Sequence, residues 1–102
     1  NDLLNDDEPN IRWDSAIALA KMGEKTSIPI IENLLDRQYL MTFPELDYKE
    51  IDKVIMTAIE TSTLIVDSTF EPSLIELAKN DQSLTVRDLA IKALKRSYDR
   101  TI

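Results

Sequence analysis

The side chains of this sequence that are able to do chemistry are carboxylates, lysines and arginines, because its 102 residues include no His and no Cys. The usual general base, the usual transition-metal ligand and the thiolate nucleophile are therefore missing. The single glycine, Gly23, excludes the glycine-rich loops that bind phosphate. Catalysis would require carboxylates or lysines that converge in a pocket, and helical spacing alone does not show convergence. We therefore expect a protein that is not an enzyme and that has no catalytic, metal-binding or cofactor-binding residues.

The formal net charge of −7 is distributed unevenly along the chain. Residues 1–81 hold 17 acidic and 7 basic side chains, whereas residues 82–102 hold 2 acidic and 5 basic ones. Because an acidic body repels phosphate backbones, we expect no nucleic-acid partner. No apolar run approaches the ~20 residues that span a bilayer, and the start has no signal-peptide pattern. We therefore expect a folded cytoplasmic protein without membrane contact.

The elements that position these residues are indicated by a pattern that occurs twice. Residues 6–12 recur as residues 81–87, and matched small and apolar residues follow the two copies: Ser15, Ala18 and Leu19 after the first, and Ala90, Ala93 and Leu94 after the second. Such self-similarity is typical of stacked helical repeats, in which one unit alone cannot bury its apolar face.

Local signals predict the helices and their buried faces. The chain opens on Leu3-Leu4, which we read as the tail of a helix, and the next helix begins near Pro9 and is capped by Gly23. The spacing predicts that its buried face is formed by Ile11, Ser15, Ala18, Leu19 and Met22. Further helices are predicted after Pro29 to residue 36, from Asp47 with a capping box to Glu50, from Pro72, and from Ser83 to Tyr98. The Asp47 helix is predicted to bury Ile51, Val54, Ile55, Ala58, Ile59 and Ser62.

Written out, the repeated motif is Asp–x–x–x–x–Val/Ile–Arg–x–x–Ala–x–x–Ala–Leu. It resembles the HEAT family, and most closely the phycobilin-lyase-type repeat of its bacterial and archaeal branch. The resemblance is carried by Asp6, Ile11, Arg12, Ala18 and Leu19 in the first unit and by Asp81, Val86, Arg87, Ala90, Ala93 and Leu94 in the third. The middle unit departs from the pattern, because Asp52 stands where the Arg would be.

The resemblance implies an all-α fold, an α-solenoid of about three stacked antiparallel helix pairs of which the first is incomplete. Residues 1–102 would form one repeat domain, part of a longer array, with units at roughly 1–23, 28–65 and 71–98. The second helices of the pairs would line a concave face. The family's Asp and Arg form a structural ladder between units, which implies that role for Asp6, Arg12, Asp81 and Arg87, with a weaker ladder at Asp52.

One candidate binding element is an extra segment, residues 37–47, which the third unit lacks. It is too apolar for a solvated linker, since it carries Tyr39, Leu40, Met41 and Phe43. It is either a protruding recognition loop, because aromatic and Met side chains are favoured interface anchors, or a lid that folds back over the helix ends.

A second candidate is a ridge that begins with Trp13 and Ile17, which lie one helical turn apart and off the predicted buried face. The equivalent positions in the later units are polar: Lys53 and Thr57, then Asp88 and Lys92. Either this ridge faces solvent and Trp13 is a binding anchor, or Trp13 packs against a preceding repeat.

These observations predict a non-catalytic protein–protein interaction scaffold whose partner is another protein. We also expect self-association through exposed repeat ends, at Leu3-Leu4 or at Tyr98 and Ile102. The alternative is the HEAT-like part of an enzyme, a lyase subunit or a nucleic-acid-acting protein whose active residues lie outside this segment.

Overall fold

A computed structural model describes residues 9–101, with only the backbone of residues 9–12, and within them the chain is helical and contains no strand. The six α-helices are α1 (Pro9–Lys21), α2 (Ile28–Leu34), α3 (Arg37–Leu40), α4 (Tyr48–Leu64), α5 (Phe70–Asn80) and α6 (Leu84–Ser97). A short 3-10 helix, Lys25–Ser27, leads into α2. None of the described helices is long and apolar enough to cross a membrane.

The end of α1 is set by Gly23, as the sequence predicts. Gly23 has φ +83°, its amide donates to the Ala20 carbonyl at 2.9 Å, and the amide of Glu24 donates to the Leu19 carbonyl at 2.9 Å. This pair of hydrogen bonds is a Schellman motif, which satisfies carbonyls that a helix end leaves without partners. Glycine adopts the required left-handed backbone without the steric cost of a Cβ.

The predicted caps of α4 and α6 are also confirmed. The Asp47 carboxylate accepts from the Glu50 amide at 2.9 Å, and the Glu50 carboxylate accepts from the Asp47 amide at 3.2 Å. This capping box begins a single helix of 17 residues. At the start of α6 the Ser83 hydroxyl accepts from the Val86 amide at 3.3 Å.

Three helix starts differ from the predictions. Helix α2 begins one residue before Pro29, and α5 begins at Phe70, so that Pro72 occupies its third position. Proline is tolerated there because the first four amides of a helix have no intrahelical acceptor. Helix α3 was not predicted; it is started by Asp36, whose carboxylate accepts from the amides of Gln38 and Tyr39.

The helices pack as neighbours along the chain and also at longer range. Helix α5 pairs with α6, and α2 packs against α1 and α4, while α4 contacts both α1 and α6. The residues predicted to be buried on α4 do lie in the core, with Val54 only half-buried. The fully buried centre is formed mainly by Phe70, Ile31, Leu34, Leu35, Leu40, Ile55, Ile59, Leu74 and Leu94. Each such side chain stabilises the fold by about 1.5–3 kcal/mol through removal from water.

The predicted buried face of α1 is wrong. Ala18 is exposed, Met22 is 75% exposed, and Ser15 and Leu19 are only half-buried, while the side chain of Ile11 lies outside the described residues. The buried residues of α1 are instead Trp13, Ala16 and Ala20. Helix α1 has small or apolar residues on both sides, so its own periodicity does not select one of them. The selection is made by its neighbours α2 and α4, which cover the Trp13 side.

The Tyr98 side chain, near the end of the chain, is also less exposed than the sequence predicts. Tyr98 is half-buried; its hydroxyl donates to the Ser62 carbonyl at 2.9 Å and accepts from the Asp67 amide at 3.4 Å. This side chain therefore ties the end of α6 to the α4–α5 connection. The other residues expected to mediate self-association, Leu3, Leu4 and Ile102, lie outside the described residues.

Candidate functional site

Arg37, the first residue of α3, donates three side-chain hydrogen bonds to two carboxylates. Its Nε donates to Asp81 Oδ1 at 2.8 Å and its Nη2 to Asp81 Oδ2 at 2.9 Å, while Nη2 also donates to Asp52 Oδ1 at 2.6 Å. Arg37 is only 8% exposed. The hydrogen bonds that the guanidinium donates to Asp81, aided by the one it donates to Asp52, raise its pKa although burial opposes this. Arg37 is therefore a permanent buried cation that joins α3, α4 and the α5–α6 connection.

Asp81 is the centre of a second set of bonds. Its Oδ2 also accepts from the Ser83 amide at 3.0 Å, and its main-chain carbonyl accepts from Arg87 Nε. Asp81 and Arg87 thus lie together within one predicted unit, where Arg87 contacts the backbone and Arg37 holds the carboxylate. This contact is not the predicted ladder between units, which stays a prediction. The other implied ladder residues, Asp6 and the Arg12 side chain, lie outside the described part of the chain.

Sequence reasoning did not find the role of Arg37. The sequence feature that could have indicated a nearby cation is Asp52, a carboxylate in the position where the repeat motif has an arginine. In the structure this carboxylate pairs with Arg37, which lies 15 residues earlier in the chain.

Beside Arg37 lies a cleft of about 540 Å³, which we name the α2–α5 cleft. One wall is formed by the end of α2 and the start of α3, and the other by α5 and the connection that follows it. The lining residues are Glu32, Asn33, Leu35, Asp36, Arg37 and Gln38 on the first wall and Pro72, Ser73, Glu76, Leu77, Asn80, Asp81 and Gln82 on the second.

The α2–α5 cleft is acidic. Among the side chains that the structure describes, no lysine or arginine forms an ion pair with Glu32, Asp36 or Glu76. Arg37 does not neutralise them, because its charge is already shared between two other carboxylates. Four amide side chains add donors and acceptors to the lining: Asn33, Gln38, Asn80 and Gln82.

The extra segment folds back onto α1 and does not protrude. The Phe43 ring lies edge-on to Trp13 with centroids 5.2 Å apart, and Tyr39 lies edge-on to Phe43 at 5.3 Å. Leu40 is fully buried, whereas Met41 is 54% exposed. Edge-to-face contacts of this kind stabilise aromatic pairs beyond their buried area.

Trp13 therefore does not lie on a solvent-facing ridge. It is 4% exposed and packs against Phe43 of the same chain. Trp13 is thus a packing residue, as one of the two alternatives has it, although its neighbour is the extra segment and not a preceding repeat. Its Nε1 is buried without a hydrogen-bond partner in the described structure, which carries an energetic cost.

The other ridge residues remain at or near the surface. Ile17 is half-buried on α1, and on α4 Lys53 is exposed while Thr57 is half-buried, with its hydroxyl bonded to the Lys53 carbonyl. On α6, Asp88 and Lys92 are exposed and form an ion pair at 2.9 Å. Because Trp13 lies in the core, the structure does not assemble these positions into one recognition face.

The described residues include no cluster of acidic side chains arranged to hold a metal ion. Comparisons with protein-family models, with curated proteins and with solved structures find no match for this chain. The resemblance to HEAT repeats thus stays a prediction from the motif.

Proposed function

We propose that this chain is a non-catalytic protein-interaction module built from HEAT-like helix pairs, and that the α2–α5 cleft is its binding surface. The observation that carries the proposal is the cleft itself, whose two walls come from different predicted repeat units. Repeat proteins commonly form binding surfaces by combining neighbouring units in this way.

The base of the cleft favours a preformed site. Arg37 and Asp81 line it and are held by several short hydrogen bonds, so that the two walls are joined at that point. A surface that is ordered before binding loses less conformational entropy when a partner docks.

This location differs from the family expectation that second helices line the binding face. The cleft lies between α2 and α5, which are the first helices of the second and third predicted units. The acidic lining is also a reason to favour a protein partner over a nucleic acid, whose phosphates it would repel.

A random peptide library displayed on phage tests the proposal. The wild-type chain and the Ser73→Arg variant are used as baits, since an arginine on α5 would project into the cleft. We expect enriched peptides that bind the wild type and are lost with Ser73→Arg. The matched control, Thr85→Arg, adds the same side chain at an exposed position of α6 outside the cleft and should retain them.

The proposal fails if no peptide is enriched, or if Ser73→Arg and Thr85→Arg bind every enriched peptide equally well. Circular dichroism of both variants must show wild-type helix content, so that lost binding is not a consequence of unfolding.

A further inference from the structure

We infer that the α2–α5 cleft binds an extended segment of a partner protein that carries lysine or arginine side chains. This inference rests on the proposed function and specifies the chemistry of the partner. Three properties of the cleft support it: carboxylates without an ion-pair partner, a small apolar part of the lining, and a rim of amide side chains.

The charge of the cleft selects a cation. Glu32 and Glu76 face the cleft from opposite walls, Asp36 lies at its α3 end, and none of the three has an ion-pair partner among the described side chains. Carboxylates on two walls of one cleft raise the local concentration of cations between them. An acidic segment would meet repulsion from both walls.

The apolar part of the lining suits the stem of a long basic side chain. Pro72 is exposed and supplies most of this apolar lining, since Leu35 and Leu77, which also border the cleft, are almost completely buried. Lysine and arginine pack their methylene groups on such surfaces while the charged head reaches a carboxylate.

The rim of the cleft suits an extended backbone. Asn33, Gln38, Asn80 and Gln82 carry amide groups, which donate and accept hydrogen bonds at the same time. An unfolded main chain presents donors and acceptors in alternation, so these side chains offer it partners independent of its sequence.

A second copy of this chain is the less favoured occupant. Each copy has a net charge of −7, which opposes association at long range, although α6 does expose Lys92 and Lys95.

The test measures fluorescence anisotropy of a labelled Lys-Ala repeat peptide of about eight residues, which extends to roughly 26 Å, with a Glu-Ala peptide as the reference. We expect the full chain to bind the Lys-Ala peptide and not the Glu-Ala peptide. The affinity for the Lys-Ala peptide should fall as salt is added. Glu32→Gln with Glu76→Gln should weaken binding about tenfold, because two charge pairs are lost while the shape of the cleft is kept.

The matched control is Glu45→Gln with Glu60→Gln, which removes the same net charge at two exposed positions outside the cleft. It should weaken binding less than about twofold. Equal losses in the two double variants would show diffuse attraction to an acidic protein and overturn the inference, as would no loss in the cleft variant. Sedimentation that reveals self-association dependent on Glu32 and Glu76 would also overturn it, by identifying a second copy as the occupant.

The two proposals fail in different ways. If the phage library yields peptides that depend on the cleft but are neutral or acidic, the proposed function stands and this inference is wrong. If the library yields no peptide that depends on the cleft, the proposed function itself fails.

Discussion

Arg37 and Asp81 are 44 residues apart in the sequence, yet the guanidinium of the first donates two hydrogen bonds, of 2.8 and 2.9 Å, to the carboxylate of the second. The pair joins the start of α3 to the connection before α6, and Asp52 extends it to α4. Because the side chains of Arg37 and Asp81 are only 9% and 2% exposed, solvent screens their interaction weakly.

The first prediction concerns this buried ion pair. Arg37→Met keeps most of the side-chain length but leaves the carboxylates of Asp52 and Asp81 without their cation. Since breaking a buried pair leaves an uncompensated charge, we expect the free energy of unfolding to fall by about 3–5 kcal/mol. Urea denaturation followed by circular dichroism measures it.

The control is Arg100→Met, which breaks the more exposed pair between Arg100 and Glu71. Pairs near the surface contribute about 0–1 kcal/mol, so this variant should remain close to wild type. Similar losses in the two variants would mean that burial of Arg37 does not strengthen its interaction.

The second prediction concerns Trp13 as a packing residue. Trp13→Ala removes a large side chain that is 4% exposed and in contact with Phe43, and it leaves a cavity. We expect a loss of about 3–5 kcal/mol of unfolding free energy. Met41→Ala, at a position 54% exposed on the extra segment, should change stability by less than about 0.5 kcal/mol. Near-native stability of Trp13→Ala would instead support a surface role for Trp13.

The third prediction concerns the cap of α1. A Cβ added to Gly23 would meet no atom within 4 Å, so Gly23→Ala introduces only the strain of its φ of +83°. We expect a destabilisation of about 1 kcal/mol, seen as a lower melting temperature. Gly23→Asn should be milder, because asparagine tolerates left-handed backbone better than alanine. Equal melting temperatures for the alanine variant and the wild type would contradict the assigned cap.

The fourth prediction concerns alkaline pH. Burial raises the pKa of the Tyr98 phenol above its ordinary value of 10.0. The folded chain therefore holds this proton more tightly than the unfolded chain, in which the pKa is about 10. The contribution to stability is complete below about pH 10 and is lost as the pH rises through the higher folded pKa.

Absorbance of tyrosinate during titration of the wild type and of Tyr98→Phe isolates this group by difference. The absorbance change of Tyr98, which is present in the wild type and absent from Tyr98→Phe, should occur above pH 10. Urea denaturation should show that Tyr98→Phe loses less stability than the wild type at alkaline pH. Tyr48→Phe, at a position 73% exposed, should retain the alkaline loss of the wild type. A difference curve centred at or below pH 10 would contradict the burial of the phenol.

Several helix limits were predictable from the sequence because local contacts set them. The Asp47–Glu50 box, the Ser83 cap and the Gly23 turn each join residues that lie at most a few positions apart. The hydrogen bonds of these caps therefore depend on the local sequence and not on how distant helices pack. The helical character of the described chain and the buried residues of α4 follow from the same local spacing.

Packing between distant helices determines which side of α1 is buried and which residues form the candidate site. Trp13 and Phe43 were proposed for different binding elements, and packing of the extra segment on α1 placed them in one aromatic contact. The bond from Arg37 to Asp81, and the cleft beside it, require α3 and the α5–α6 connection to meet in space. Such contacts depend on how distant helices pack, and helical periodicity specifies the faces available for packing without specifying which neighbour covers them.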